Sequence, residues 1–287
     1  SVIDFAKLIN ILASQDKKII DYITNISDIK KHGKPLIAIP TTSGSGSEAT
    51  HFAVIYVEQK KFSVASSYIL PKYSIVDPEF TKSLPPENIA ISGMDALCQA
   101  IESYWSIKST SKSRSFSEKS IRLILSNLLK GLKNPTEETR LSMSMASNLA
   151  GKAINITKTT APHAISYALT YFFGIPHGHA VSLTLGEFFI FNSKMDKFNI
   201  NGIDKIEKHE KRFLELLNIF EVQDATSAKE KILNLMLNIH LKIKLSDFNI
   251  SSKDVKLIIN NVNIERLNNN PRKISKKEME IILRSLI

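Results

Sequence analysis

The segment from Gly93 to Trp105, GMDALCQAIESYW, has apolar residues at helical spacing and predicts one amphipathic helix. Asp95 and Gln99 are four residues apart, so their side chains fall on the same face of that helix. Pairs of metal ligands often have this spacing, but Gln is a poor metal ligand. The segment is therefore compatible with a metal site, a metal site with one weakened ligand, or an ordinary helix.

The pattern differs on the two sides of this segment. Residues 2–23 have helical periodicity interrupted by SQDKK, and three short runs, PLIAIP (35–40), FAVIYV (52–57) and YSIVDP (73–78), predict buried strands. From SLPPENIA onward nearly every segment has the helical period, up to residue 287. The sequence predicts an α/β part over residues 1–84 and an all-helical part over residues 85–287.

Composition narrows the class of protein. The net charge of +10 is compatible with nucleic acid, anionic lipid or an acidic small substrate, but the lysines are dispersed among Asn and Ile, which favours solvated helix faces. A single cysteine, Cys98, excludes an internal disulfide and favours a reducing compartment. No apolar run approaches the ~20 residues of a membrane helix, and no signal-peptide pattern is visible. We expect a cytoplasmic protein that binds neither nucleic acid nor membrane.

The loop TTSGSGSEAT, residues 41–50, follows the first predicted strand. Its glycines could turn backbone N–H groups toward an anion such as a cofactor pyrophosphate, and its hydroxyls would add donors. The alternative is an ordinary hydroxyl-rich connection, which composition alone favours.

Two histidines are candidate metal ligands together with Asp95. His163 lies near a predicted helix start in TTAPHAISYAL, and His177 lies in the turn GIPHGHA. One carboxylate and two imidazoles suit Fe²⁺ or Zn²⁺. Spacing alone does not establish such a site. The remaining histidines are interpreted as hydrogen-bonded core or surface residues: His32, His51, His179, His209 and His240.

Four motifs occur in an order that resembles a known family. PTTSGSGSEAT, GMDAL with AIESYW, APHAIS and GIPHGHA together resemble the iron-containing (group III) alcohol dehydrogenases, and the tail NNPRKIS is similar to the closing segment of that family. The resemblance covers essentially the whole chain. It implies a dehydroquinate synthase-like fold, α/β plus all-α, with a partial dinucleotide-binding α/β domain followed by a helical metal-binding domain. It further implies NAD(P)H, a divalent metal (Fe²⁺ or Zn²⁺) and a homodimer.

The resemblance also implies the ligand set. The family places an Asp and a His four residues apart on one helix, and two further histidines later. These positions correspond to Asp95, Gln99, His163 and His177, so Gln99 stands where His is expected. Gln can ligate through its carbonyl oxygen but is a neutral and weaker ligand. A proton-relay histidine of the family corresponds to Tyr167, whose phenol is the candidate proton donor.

The segments around these residues look most similar to the branch of the family that reduces phosphonoacetaldehyde to 2-hydroxyethylphosphonate. In that branch Gln99 is a shared feature rather than a lost ligand. An anionic substrate needs a nearby cation, and Arg272 and Lys273 of NNNPRK are the candidates.

Cofactor contacts are implied for Thr41, Thr42, Ser45 and Lys61, with Lys60 beside the last offering the same group. The chain begins SVIDFAK, as if Ser1 were the serine of the family's Gly-Gly-Gly-Ser turn. The resemblance therefore implies an N-terminal truncation that removes most of the pyrophosphate-binding turn.

The leading hypothesis is an oxidoreductase that interconverts a small aldehyde and its alcohol. One alternative is a truncated, catalytically silent remnant that acts only as a folded or self-associating domain. Another is a metal-dependent lyase on the same fold.

Overall fold

The computed structural model describes residues 2–24, 27–57, 60–202 and 206–287, and the side chains of residues 60 and 61 are outside this description. The helices are α1 (Val2–Leu12), α2 (Ile19–Ile23), α3 (Pro86–Trp105), α4 (Ser111–Lys133), α5 (Glu137–Thr157), α6 (Ala161–Phe173), α7 (His177–Ser193), α8 (Ile206–Ile219), α9 (Ala225–Asn238), α10 (Val255–Asn260), α11 (Ile264–Leu267) and α12 (Lys276–Arg284). The strands are β1 (Ile37–Ala38), β2 (Phe52–Val57), β3 (Lys60–Ala65) and β4 (Tyr73–Ser74).

The strands form two small sheets. β1 pairs in parallel with β4, in the register Ile37 to Tyr73 and Ala38 to Ser74. β2 and β3 form an antiparallel hairpin in which Phe52 lies opposite Ala65. Of the predicted strands, FAVIYV is present over its full length, whereas the other two shorten to two residues each. The sequence reasoning missed β3, although its run KKFSVA ends in the β-branched and aromatic residues typical of a strand.

Helix α3 lies at the centre of the helical part. It packs against α4, α5, α7 and α8, and it is buried almost continuously from Gly93 to Trp105. Its burial on all sides explains why polar residues on this helix need partners within the protein. The main apolar core forms around it, and a second, smaller core lies between α1, α2, β2 and β3.

Loop 41–50 is held by contacts on two sides. On one side, the ammonium group of Lys7 in α1 is only 1% exposed and donates to the carbonyl oxygens of Ser47, Thr50 (2.8 Å) and Phe52 (3.2 Å). Burial lowers the pKa of Lys7 to about 8, although the charges of Asp4 and Glu48 oppose that shift. Three carbonyl acceptors replace the water that this buried cation has lost.

On its other side the loop touches α5 at a contact between two glycines. Gly46 has a left-handed φ of 59°, and a Cβ on it would lie 2.5 Å from the Cα of Gly151 in α5. Neither position has room for a side chain, so the loop backbone lies directly on the helix. Among the described residues, no helix is both long and apolar enough to cross a membrane.

Candidate functional site

Three polar side chains lie on one face of the buried helix α3. Asp95, Gln99 and Glu102 are spaced by four and three residues, which places them one above the other along the helix. Their exposed fractions are 7%, 4% and 0%. A polar row this deeply buried requires partners from neighbouring elements.

The partners of Glu102 come from the start of α6. The backbone N–H and the hydroxyl of Thr160, the residue before α6, both donate to Glu102 Oε2, the hydroxyl at 3.1 Å. Glu102 Oε1 lies 2.8 Å from Nδ1 of His163. Because a carboxylate accepts, the proton of a neutral His163 ring belongs on Nδ1. Nε2 of the neutral ring then has a lone pair on the side of Asp95, where a proton or a metal cation can accept it.

His177 comes from the first residue of α7, which follows Gly174, Ile175 and Pro176. Its ring centroid lies 5.3 Å from that of His163 and 6.0 Å from that of Tyr167. The following residue, Gly178, permits this placement: a Cβ there would lie 2.2 Å from the carbonyl oxygen of Ile91 in α3. Only glycine lets α7 approach α3 this closely.

One ligand atom from each of Asp95, His163 and His177 lies within 4.8 Å of the others. Asp95 Oδ1 is 3.5 Å from His163 Nε2, and neither this oxygen nor the buried Gln99 Oε1 has a hydrogen-bond partner among the described residues. The Gln99 amide nitrogen points to the carbonyl oxygen of Ser45 at 3.4 Å. Two unpartnered oxygens beside two imidazoles fit a borderline divalent cation.

The electrostatics agree with this donor set. Burial alone would lower the pKa of His163, but the Glu102 and Asp95 carboxylates raise it to about 9. Burial alone would raise the pKa of Asp95, but interaction with His163 and the charge of His177 lower it. The two carboxylates therefore favour positive charge at this position, whether a proton on His163 or a bound cation.

These groups open into a pocket between the two parts of the chain. From residues 1–84 the lining includes Asp4, Ser45, Ser47, Thr50, Phe52, Val54 and Tyr56. From residues 85–287 it includes Asp95, Gln99, Ile154, Thr159, His163, Tyr167, Thr170, His177 and Arg266. The pocket therefore brings Ser45, Tyr167 and the four predicted metal ligands together.

The other residues predicted for cofactor contacts are not in this lining. Thr41 and Thr42 are exposed on the same loop as Ser45. Ser1 and the side chain of Lys61 lie outside the described part of the chain. Their proposed contacts remain predictions.

Arg272 and Lys273 were expected near an anionic substrate, but the structure places them elsewhere. Arg272 donates to the carbonyl oxygen of Phe191 (2.9 Å) and to Glu278 (3.0 Å) and stacks on the Phe191 ring, so it is used structurally. Lys273 is exposed, and neither residue lines the pocket. Arg266 does line it, and sequence reasoning missed it.

Glu102 was missed as well. The signal was available, because Glu102 is seven residues after Asp95 and so lies on the same helical face. Of the histidines interpreted as structural, His179 lies 2.8 Å from the carbonyl oxygen of Lys242, and His51 contacts Asn155. Both contacts agree with that interpretation.

Two family models match the chain in sequence. Residues 89–287 match the family described as "Fe-containing alcohol dehydrogenase family, C-terminal", and residues 1–78 match "Iron-containing alcohol dehydrogenase". Together they confirm the resemblance inferred from the motifs.

Individual members of this family are similar to the chain in sequence. Long-chain-alcohol dehydrogenase 1 of Geobacillus thermodenitrificans is 38% identical over 188 residues, covering 64% of this chain and 48% of that protein. Phosphonoacetaldehyde reductase of Streptomyces viridochromogenes is 35% identical over 160 residues, covering 55% of this chain and 40% of that protein. The chain thus spans about half the length of the curated relatives it matches.

A solved structure confirms the predicted fold class. Sulfoacetaldehyde reductase from Bifidobacterium kashiwanohense, in complex with NAD⁺, superposes with a TM-score of 0.86 at 31% identity. The match covers 99% of this chain and 73% of that one.

Replacing Glu102 by Gln should weaken divalent-metal binding. The amide keeps the size of the side chain but removes the charge that orients His163 and raises its pKa, and loss of such a partner typically costs about 10- to 100-fold in metal affinity. Affinity is measured by competition with a chelator, and the pKa of His163 by NMR. Glu137→Gln, an exposed change at the start of α5, is the matched control. Unchanged affinity in Glu102→Gln would contradict this role.

Replacing Gln99 by His should tighten metal binding, because imidazole replaces a neutral amide oxygen. Gln99→Leu, which removes the oxygen altogether, should weaken it. Metal content after dialysis and chelator competition measure both changes. If all three proteins bind the ion equally, position 99 does not contact it.

Proposed function

Because the chain belongs to the iron-containing alcohol dehydrogenase family, we propose that it interconverts a small aldehyde and its alcohol, using a nicotinamide cofactor and a divalent metal ion. In the reductive direction, the aldehyde, NAD(P)H and one proton give the alcohol and NAD(P)⁺. The observation that supports this most is the convergence of Asp95, His163 and His177 in a pocket that also reaches Ser45.

In this proposal Asp95, His163 and His177 hold the ion, and Gln99 Oε1 is a fourth ligand. When bound, the ion supplies Lewis acidity at the carbonyl oxygen and the nicotinamide supplies the hydride. The protein contributes placement: Glu102 fixes the ring of His163, and Gly178 lets His177 approach α3. Ser45, Thr41 and Thr42 of loop 41–50 are proposed to contact the cofactor, and the same role is proposed for Ser1 and Lys61. Ser1 and the side chain of Lys61 lie outside the described part of the chain.

Tyr167 is proposed as the proton donor to the alcohol oxygen. It lines the pocket, and its ring stacks beside His177 at 22° between ring planes. Burial raises the pKa of its hydroxyl, and Arg266 opposes that shift only in part. The phenol therefore keeps its proton at neutral pH, which a donor must do.

For the substrate, we propose phosphonoacetaldehyde, reduced to 2-hydroxyethylphosphonate. Support comes from the names of two similar proteins, a phosphonoacetaldehyde reductase and a sulfoacetaldehyde reductase. Both names denote a short aldehyde with an anionic tail, which calls for a cation in the pocket.

The test combines metal analysis of the purified chain with NADH and NADPH oxidation across small aldehydes. We expect close to one divalent ion per chain and reduction of at least one short aldehyde that stops on chelation and returns with Fe²⁺ or Zn²⁺. Retained metal without reduction of any aldehyde would instead favour a catalytically silent chain.

Replacing Tyr167 by Phe should slow aldehyde reduction by about 100- to 10,000-fold, the usual contribution of a positioned proton donor. Metal content should stay the same, since the hydroxyl is not a proposed ligand. The measurement is single-turnover oxidation of the reduced cofactor. Tyr171→Phe, one helical turn further on and 40% exposed, is the matched control. Equal rates for Tyr167→Phe and the parent chain would remove Tyr167 from the reaction.

A further inference from the structure

Arg266 lies in the candidate pocket, and sequence reasoning did not single it out. It belongs to the short helix α11, where the Asn263 side chain accepts its backbone N–H at 2.9 Å. Helix α11 packs against α6, the helix of His163 and Tyr167. The side chain of Arg266 also interacts with the hydroxyl of Tyr167 on that helix.

The guanidinium is buried. Arg266 is only 4% exposed, and its carbon Cζ lies 5.4 Å from the centroid of the Phe52 ring. The adjacent carboxylate, Glu265, forms an ion pair with Lys158 and also interacts electrostatically with Arg266. The nitrogen Nη1 of Arg266 is buried, and no described residue is its hydrogen-bond partner. An unused donor on a buried guanidinium is costly, so an oxygen anion that enters the pocket and accepts from it would be favoured.

A second polar group in the pocket is also unsatisfied. Thr170 Oγ1, on α6 and also in the pocket lining, is buried without a hydrogen-bond partner in the part of the chain that the structure describes. A guanidinium nitrogen and a hydroxyl are both donors that phosphonate, sulfonate and carboxylate oxygens accept. The pocket therefore offers hydrogen-bond donors to a charged oxygen group as well as ligand atoms to a metal ion.

Tyr167 indicates how far apart these two ends of the pocket are. Its ring stacks beside His177, and its hydroxyl is close enough to Arg266 for the guanidinium to act on it. One side chain thus separates the metal-binding end from the guanidinium. A substrate that reaches both needs only a short carbon chain between its carbonyl and its anionic group.

We propose that Arg266 binds the anionic group of a short aldehyde whose carbonyl faces Asp95, His163 and His177. Arg266 then sets the preference of the site for charged over neutral aldehydes. The inference rests on the proposed aldehyde reductase function. The cofactor pyrophosphate is the other anion that could reach Arg266, and the experiment separates the two.

The first arm measures kcat/KM for phosphonoacetaldehyde and for propanal, and KM for the reduced cofactor. Arg266→Met should lower kcat/KM for phosphonoacetaldehyde about 30- to 1,000-fold, the cost of removing a charge-assisted partner, and leave propanal within about threefold. Raising salt should narrow the preference of the parent chain. Lys273→Met, which removes an exposed cation near the C-terminus, is the matched control and should change neither aldehyde.

Arg266→Lys is a second variant that helps to distinguish a lost contact from a folding defect. Circular dichroism and melting temperature are measured for Arg266→Met and Arg266→Lys. The lysine keeps the charge and loses the planar fork, so it should reduce phosphonoacetaldehyde with an intermediate kcat/KM. Equal losses for the two aldehydes, with a raised KM for the cofactor, would assign Arg266 to the cofactor and overturn the proposal. So would an unchanged ratio of the two aldehydes in well-folded Arg266→Met.

The second arm needs no turnover. Calorimetry with methylphosphonate, which has no carbonyl, should show binding to the parent chain that is lost in Arg266→Met and retained in Lys273→Met. If methylphosphonate binds through Arg266 but no aldehyde is reduced, the anion site stands and the reductase function fails. If aldehydes are reduced without any charge preference and methylphosphonate does not bind, the reductase function stands and the role of Arg266 is overturned.

Discussion

The buried carboxylate of Glu102 is the constraint on which the rest of the site depends. It is 0% exposed in the centre of the main core, so its charge must be matched within the protein. The start of α6 supplies that match through the backbone and hydroxyl of Thr160, where the helix dipole also favours negative charge. The same carboxylate orients His163. Removing one partner of a buried pair typically costs about 3–5 kcal/mol, so α3, α6 and the imidazole are fixed together.

Close backbone contacts at glycines position the remaining parts of the site. Gly178 lets α7 bring His177 onto α3, and the contact of Gly46 with Gly151 holds loop 41–50 against α5. Asp95 and Gln99 are then each left with one oxygen that no donor among the described residues satisfies. An arrangement so tightly fixed and still unsatisfied is typical of a preformed ligand site, since unsatisfied buried groups are otherwise rare. Gln99 therefore belongs to the buried polar row of the site. This favours a residue that takes part in the site over the remnant of a lost metal ligand.

Local patterns predicted the helices well. The helical spacing of apolar residues predicted α3 and the break after α1, because a helix that buries one face has apolar residues at regular intervals. The strands of the parallel pair were predicted longer than they are, since an apolar run does not show how many of its residues pair with a neighbour. Ordered motifs identified the family and, through it, Asp95, His163 and His177. Glu102 escaped notice because its role depends on Thr160 and His163, contacts that are remote in sequence and are set by packing.

The contrast between Arg266 and Arg272 shows why composition could not locate the cation. Both are arginines within one short C-terminal segment, and the net charge of +10 applies equally to each. Arg272 has carbonyl, carboxylate and aromatic partners inside the protein, although its Nε is buried without a hydrogen-bond partner among the described residues. Arg266 retains a buried donor with no partner in a pocket that also contains carboxylate and imidazole groups. What distinguishes the two is thus the place of the unused donor: Arg266 lines the pocket and Arg272 does not, and only the folded arrangement reveals that difference.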